Sequence, residues 1–203
     1  LTHTAIPVTI PQDPDYASRD ILYVKGIAQE TDTLHVYVNH WSSRYGGREA
    51  SEYKRVNAAN ILKNHIKEVQ GNNADAKIVI MGDMNDEPAN KSLSVTLNAG
   101  NARQKGQDDF YNLMYNLDEQ GKGTYNYQGN WTMLDNMIVS YSLINNTNGY
   151  RVNHGAGRIF NRKWLRYYFD DGGYTPNRTY GGPNYYGGIS DHFAVYFAMK
   201  ATE

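Results

Sequence analysis

The chain has 203 residues, a formal net charge of −1 at pH 7 and no cysteine. That length suits one domain with a substantial core. The near-zero charge excludes a global basic field that would gather nucleic acid by counterion release, and the missing Cys excludes disulfides, zinc thiolate sites and thiol nucleophiles. No apolar run is long enough to cross a bilayer as a helix.

The chain opens with LTHTAIPV, which has no initiator Met, basic n-region or apolar h-region, so it reads as processed or as starting in mid-protein. Residues 1–9 alternate weakly and predict a strand, at a sheet edge because of Pro7. A loop follows over 13–20. ILYVKGIAQ and LHVYVNH, separated by the turn-like ETDT, are β-branched and aromatic and predict a hairpin. From Gly47 to Val69 the apolar period changes to three and four: Tyr53, Val56, Ala59 or Asn60, Ile61, Leu62, Ile66 and Val69 share a face opposite Glu49, Glu52, Lys54, Lys63 and Lys67. This is an amphipathic helix, stopped by the Gly and Asn of QGNNADA.

The run Ile78-Val79-Ile80-Met81 is short and branched, as suits a strand covered on both faces, and Gly82 and Pro88 bound it. A helix is expected from about Asn90 to Leu97 and a short one over DDFYNLMYNL. GTYNYQ, MLDNMIVS and SDHFAVYFAMK read as strands. Hairpins lead and no βαβα rhythm appears, so a mixed or largely antiparallel sheet is expected in an α/β layered domain spanning 1–203.

Four strand-like runs end or begin in groups able to do acid–base or metal chemistry. LHVYVNHWSSR ends in Asn39, His40 and Arg44; KIVIMGDMND ends in Asp83 and Asn85; WTMLDNMIVS carries Asp135; GGISDHFAVY carries Ser190, Asp191 and His192. Singly, each is an ordinary turn or cap residue. Together they resemble the endonuclease/exonuclease/phosphatase family of deoxyribonuclease-like phosphohydrolases: NHWSSR, GDMND, LDNMIVS and SDHFAV occur in that family's order over residues 20–199. The resemblance implies a four-layered α/β sandwich in which two mixed sheets pack face to face with helices outside, and a site at one edge where strand ends meet.

It also implies roles. Phosphodiester hydrolysis needs an oriented water, charge neutralisation on the non-bridging oxygens and help for the leaving alkoxide. Asp83 is the expected base or orienter of water, and Asn85 a donor projecting to the same side of extended backbone. His192 is expected at the scissile phosphate with Asp135 on its other ring nitrogen, much as a triad carboxylate orients its His. His40 is a second donor to phosphate, and Asn39 and Arg44 are expected to bind substrate, an ion pair being an equal alternative for Arg44. Asp191 is the expected metal ligand, for Mg2+ or Mn2+.

One departure from the pattern stands out. The family normally places an Asn-bearing strand and a Glu-bearing strand ahead of a segment like SRDILYVKG, and the chain's Gln29-Glu30 lies in the hairpin turn instead. The expectation is that the chain represents the C-terminal two-thirds of the family domain, the missing part being absent or a separate chain, and that these residues alone bind Mg2+ poorly and turn over little. The Tyr-, Gly- and Asn-rich loop 160–188, with Lys163, Arg166 and Arg178 among Trp164, Tyr167, Tyr168 and Phe169, suits stacking or a phosphorylated head group as well as a packed irregular loop. Nucleic acid, phospholipid head groups and sugar phosphates all remain candidate substrates, and a ligand- or glycan-binding module on the same fold is the rival reading. Compartment is left open, with secretion or a periplasmic location favoured.

Overall fold

The computed structural model describes residues 1–28, 32–101, 109–145 and 149–202. In chain order its elements are β1 (Thr2–Ile6), β2 (Ile21–Ala28), β3 (Asp32–His40), α1 (Arg48–Asn72), β4 (Lys77–Asp83), a π-helical turn Ser92–Thr96, β5 (Ala99–Gly100), β6 (Phe110–Asn112), α2 (Tyr115–Glu119), β7 (Tyr125–Tyr127), β8 (Asn130–Thr132) and β9 (Asp135–Ser140). There follow α3 (Tyr141–Ile144), β10 (Gly149–Arg151), β11 (Arg158–Ile159), a 3-10 turn Lys163–Leu165, β12 (Arg166–Tyr168), β13 (Tyr174–Pro176), β14 (Tyr180–Gly181), β15 (Asn184–Tyr185), β16 (Val195–Tyr196) and β17 (Lys200–Thr202).

Seven strands form one mixed sheet in the order β1-β2-β3-β4-β9-β6-β5. The predicted hairpin is the antiparallel pair β2 and β3, although Gln29 and Glu30 of its turn lie outside the described residues. β3 and β4 run parallel with α1 between them, because parallel neighbours need a crossover long enough to hold a helix. Strand period then separates two cores. Ile78 and Ile80 of β4 face α1 and pack with Tyr37, Trp41, Ala59, Leu62 and Ile66. Val79 and, partly, Met81 face the other way, against Tyr111, Met137, Val139, Val195, Phe197 and Met199. A strand buried on both faces reads as a continuous apolar run, which is what its sequence shows.

The buried stripe of α1 runs through Ser51, Arg55, Ala58, Ala59, Leu62 and Ile66. Tyr53, assigned to that face from spacing, is instead 37% exposed. The stripe is rotated because a charged residue, Arg55, occupies its first turns, a placement that apolar periodicity cannot detect. A second difference is the helix expected over 108–117. Phe110, Tyr111 and Asn112 are buried and pair antiparallel with β9, leaving only a short helix after them. The sheet supplies hydrogen bonds and an apolar face to aromatic residues that favour strands anyway.

The second layer also differs from a continuous sheet. Its strands form separate antiparallel pairs: β10 with β17, β11 with β16, β7 with β8, β12 with β13 and β14 with β15. The expected strand over SDHFAVYFAMK is accordingly broken into β16 and β17, with His192 held by a single bridge to Tyr125.

Asp32 ties the two layers together. At the start of β3 it accepts from Lys77 Nζ at 2.5 Å and from the backbone N–H of Tyr150 in β10, also at 2.5 Å. A Cβ on Gly149 would lie 2.3 Å from the same carboxylate, so this approach requires glycine. Burial by itself would raise the Asp32 carboxyl, yet the Lys77 and Tyr150 hydrogen bonds and the Lys77 charge hold it below its usual value. A depressed carboxyl contributes stability above its unfolded pKa and loses it as pH falls through the folded one. Asp32→Asn is therefore expected to cost about 2 kcal/mol at pH 7, measured by urea unfolding, and the gap to the unsubstituted protein should close as pH drops below about 4.

Candidate active site

The site is set by register. In the parallel pairing of β3 with β4, His40 lies opposite Asp83, and in the antiparallel pairing of β4 with β9, Asp83 lies opposite Asp135. Three polar residues from distant parts of the chain thus stand in one row across the ends of three adjacent strands. Gly82 allows the approach: it has φ +127°, and a Cβ there would come within 2.0 Å of the Asn39 carbonyl oxygen.

His192 completes the row from the C-terminal segment. Its Nδ1 lies 2.7 Å from Asp135 Oδ2, its backbone N–H donates to Ser190 Oγ at 3.1 Å, and its ring packs 4.8 Å from that of Tyr125. Burial would lower this imidazole, but the Asp135 hydrogen bond and the charges of Asp135, Asp83 and Asp191 outweigh it and raise it. Asp83 is pushed up by burial and then by Asp135, against weaker opposition from His192, the Asn85 N–H and His40. His40 Nε2 sits 3.6 Å from Asp83 Oδ2, with half its side chain in solvent. His40, Asp83, Asn85, Asp135, Asp191 and His192 all line one open cleft of about 920 Å³, together with Ser43, Tyr45, Tyr125 and Tyr127.

Two of the expected roles change with the geometry. Asn85 is not extended but left-handed, at φ 50°. This turns it back on the strand end, where its backbone N–H donates to Asp83 Oδ1 at 2.8 Å and its amide donates to Asp83 Oδ2 at 3.2 Å and to the Trp41 carbonyl at 3.0 Å. Both amide hydrogens are occupied, so Asn85 orients the Asp83 carboxylate rather than offering a donor to the cleft. Asn39, expected at the substrate, is buried: its amide donates to the Tyr37 and Met81 carbonyls and its oxygen accepts from Trp41 Nε1. It stands on the strand face it shares with Tyr37 and Trp41, which packs into the core beside α1, whereas the next residue, His40, points to the cleft.

Arg44 does line the cleft, but its guanidinium is committed to the loop after β4. Nε donates to the Asn85 carbonyl at 2.7 Å, and Nη2 reaches Asn90 Oδ1 at 2.9 Å and Glu87 Oε2 at 3.3 Å. The ion-pair alternative is the one the geometry supports.

Beneath Arg44 lies a pair not expected from the sequence. Arg55 of α1 is fully buried, with Nε 2.8 Å from Asp86 Oδ1, and Asp86 also accepts from Ser92 Oγ at 2.6 Å. Asn136 donates to the Asp86 carbonyl at 3.0 Å and accepts from Asn112. The ion pair and these hydrogen bonds hold Asp86, the residue after the left-handed turn at Asn85. The signal was present in GDMNDEP as its second Asp, but a buried cation on a distant helix leaves no local trace.

The residues can be tested against a hard divalent cation. Asp83, Asp135 and His192 offer ligand atoms within 4.8 Å of one another. However, Nδ1 of His192 and Asp135 Oδ2 bond each other, and each Asp83 oxygen already accepts one hydrogen bond from Asn85, so the group leaves few oxygen lone pairs for an ion. Such an ion prefers about six oxygens, whereas this group is an imidazole–carboxylate acid–base unit. Asp191, the expected ligand, is exposed on the cleft and outside that group. The described residues alone do not build the cage.

A row of imidazole and carboxylate groups at strand ends of a layered α/β domain defines an acid–base site of the sheet-edge kind. The family model described as "Endonuclease/Exonuclease/phosphatase family" matches residues 2–201, and the chain belongs to that family. Among solved structures it is similar to humanised TDP2 of D. rerio (16% identity, TM-score 0.59, 99% of this chain and 67% of that one). It is also similar to the human Nocturnin catalytic domain with bound sulfate (15%, 0.52, 98% and 59%), and to the mannosyl-6-phosphatase Bt3783 of Bacteroides thetaiotaomicron (16%, 0.55, 98% and 65%). These likenesses show the fold, the DNase I-like sandwich, and this chain spans roughly two-thirds of the length of such structures. No curated protein sequence matches it.

Two outcomes check this geometry. Asp135→Asn removes the charge that holds the His192 imidazole up, so its titration midpoint, followed by NMR, should fall. Arg55→Met leaves Asp86 buried without its cation and is expected to destabilise the fold by about 3–5 kcal/mol in urea unfolding.

Proposed function

We propose that the protein is a phosphoester hydrolase working by water attack at phosphorus. The observation that carries this is the convergence of two His–Asp pairs, His40 with Asp83 and His192 with Asp135, on one solvent-filled cleft. Asp83, its oxygens aimed by Asn85 and its basicity raised by burial, orients the attacking water and takes its proton as the new P–O bond forms. His192, its imidazole raised by Asp135, donates to a non-bridging oxygen and, in its protonated form, gives a proton to the alkoxide as the old P–O bond breaks. His40, on the opposite side of Asp83, donates to a second non-bridging oxygen. Fixed donors aimed at the charge that develops are the largest contribution such a site makes.

Two similar structures, a mannosyl-6-phosphatase and a TDP2 complexed with single-strand DNA product, support phosphoesters as the substrate class. The finer reading adds Mg2+ or Mn2+ as cofactor, which would neutralise phosphate charge. Asp191 would supply one oxygen to it, with others from substrate and water, so added metal should be required in excess.

Hydrolysis of bis(p-nitrophenyl) phosphate with and without Mg2+ tests the proposal. Asp83→Asn and His192→Ala should each lower kcat by about a hundredfold or more. Turnover that survives both substitutions would overturn it.

A further inference from the structure

A second groove opens beside the cleft. It holds about 440 Å³ and is lined by Tyr127, Tyr167, Phe169, Tyr186, Asn177 and Arg178, among others. Its aromatic rings come from three separate hairpins: Tyr127 from β7, Tyr167 and Phe169 from β12 and its turn, and Tyr186 from just after β15. They remain largely in solvent, Tyr127 at 59%, Tyr167 at 56% and Tyr186 at 60%. Rings brought together from three hairpins and left uncovered have not been used to build a core.

The cation in this groove lacks a partner. Lys163 and Arg166 of the same loop lie outside its lining, and Arg166 stacks over Tyr174 and bonds Asn161. The half-buried guanidinium of Arg178, by contrast, has no hydrogen-bond or ion-pair partner among the described residues. It is nevertheless rigidly mounted. The Asn177 and Arg178 carbonyls accept from the N–H groups of Ile189 and Gly188 at 2.7 and 3.1 Å, and Thr179 Oγ1 donates to the Gly188 and Ile189 carbonyls at 3.0 and 2.8 Å. A Cβ on Gly188 would lie 2.0 Å from the Asn177 oxygen, so the two segments touch backbone to backbone. His192 follows Gly188 by four residues, so the backbone that carries Arg178 is joined to the segment that carries the imidazole, and Tyr127 lines both spaces.

The lining also selects a chemistry. Arg178, Asn126, Asn177, Gln128 and Thr175 offer N–H and O–H donors, and no Asp or Glu is among the described residues that line it. A bare sugar presents many hydroxyl donors and needs acceptors, for which carboxylates serve best. A nucleobase presents carbonyl and ring-nitrogen acceptors on its edge and two flat faces for aromatic rings, and an Arg fork fits paired acceptors.

Resting on the phosphoester reading above, we propose that this groove is a base-stacking subsite, which takes the nucleoside of a substrate whose phosphorus lies between His40 and His192. Arg178 meets the base edge, and Tyr127 and Tyr186 meet its face. Substrates are then selected by their organic group while the chemistry at phosphorus stays general.

Calorimetry on the Asp83→Asn protein, with thymidine 5′-phosphate, glucose 6-phosphate and glycerol 3-phosphate, tests this without turnover. The thymidine ester is expected to bind at least roughly fivefold tighter than the other two. That preference should be lost in Arg178→Met and in Tyr186→Ser, both at solvent-accessible positions, with glycerol 3-phosphate affinity unchanged. Equal affinity for all three ligands, tightest binding of glucose 6-phosphate, or a preference that survives both substitutions would overturn the subsite. The two readings fail separately: absent hydrolysis of bis(p-nitrophenyl) phosphate with the preference intact removes the hydrolase and leaves the subsite.

Discussion

The site rests on the register of three strands. β3 is parallel to β4 and β4 antiparallel to β9, and the pairing sets His40, Asp83 and Asp135 side by side at one edge. Because side chains alternate along a strand, a slip of one residue in either pairing would turn Asp83 away from its neighbours and invert the apolar faces of β4 together. The two apolar cores on either side of the sheet therefore specify the catalytic geometry, although neither touches the cleft. Burial of Ile78 and Ile80 against α1 and of Val79 against the C-terminal strands allows only one alignment.

Charge is handled in two tiers. At the sheet edge, burial and then Asp135 raise the Asp83 carboxyl, while the Asp135 hydrogen bond and the neighbouring carboxylates raise the His192 imidazole against its burial. Below it, Arg55 and Asp86 meet in the interior, and their partners Ser92 and Arg44 leave neither group isolated. A buried ion pair is weak evidence for stability, since desolvation offsets much of the attraction. Its value here is directional: it holds a loop of mostly polar residues in one conformation, including a non-glycine residue at positive φ, a strained state that surroundings must enforce.

Much of this was legible beforehand, and the reasons differ by residue. β4 and α1 declared themselves because their periods are strong over many positions, and Asp83, Asp135 and His192 because polar groups ending apolar strands are conspicuous. What escaped depended on tertiary contact. Asn39 has the same neighbours in sequence as His40 but points into the sheet, where Trp41 and two carbonyls consume it. The turn at Asn85 is stabilised by Trp41 and Arg44 from another segment, together with Asp83 two residues before it. The Phe110–Asn112 strand looked helical in its polar context and is decided by the β9 edge it joins.

The division of the outer layer into short, self-contained hairpins has a consequence for how such a molecule can diverge. β12 with β13 and β14 with β15 satisfy their own backbone bonds and contribute little to either core. Residues in their turns can be exchanged, lengthened or shortened while the strand ends that carry the His–Asp pairs stay where they are. The architecture thus separates the segments whose length and side chains are free to vary from the strand ends whose register is fixed by the two cores.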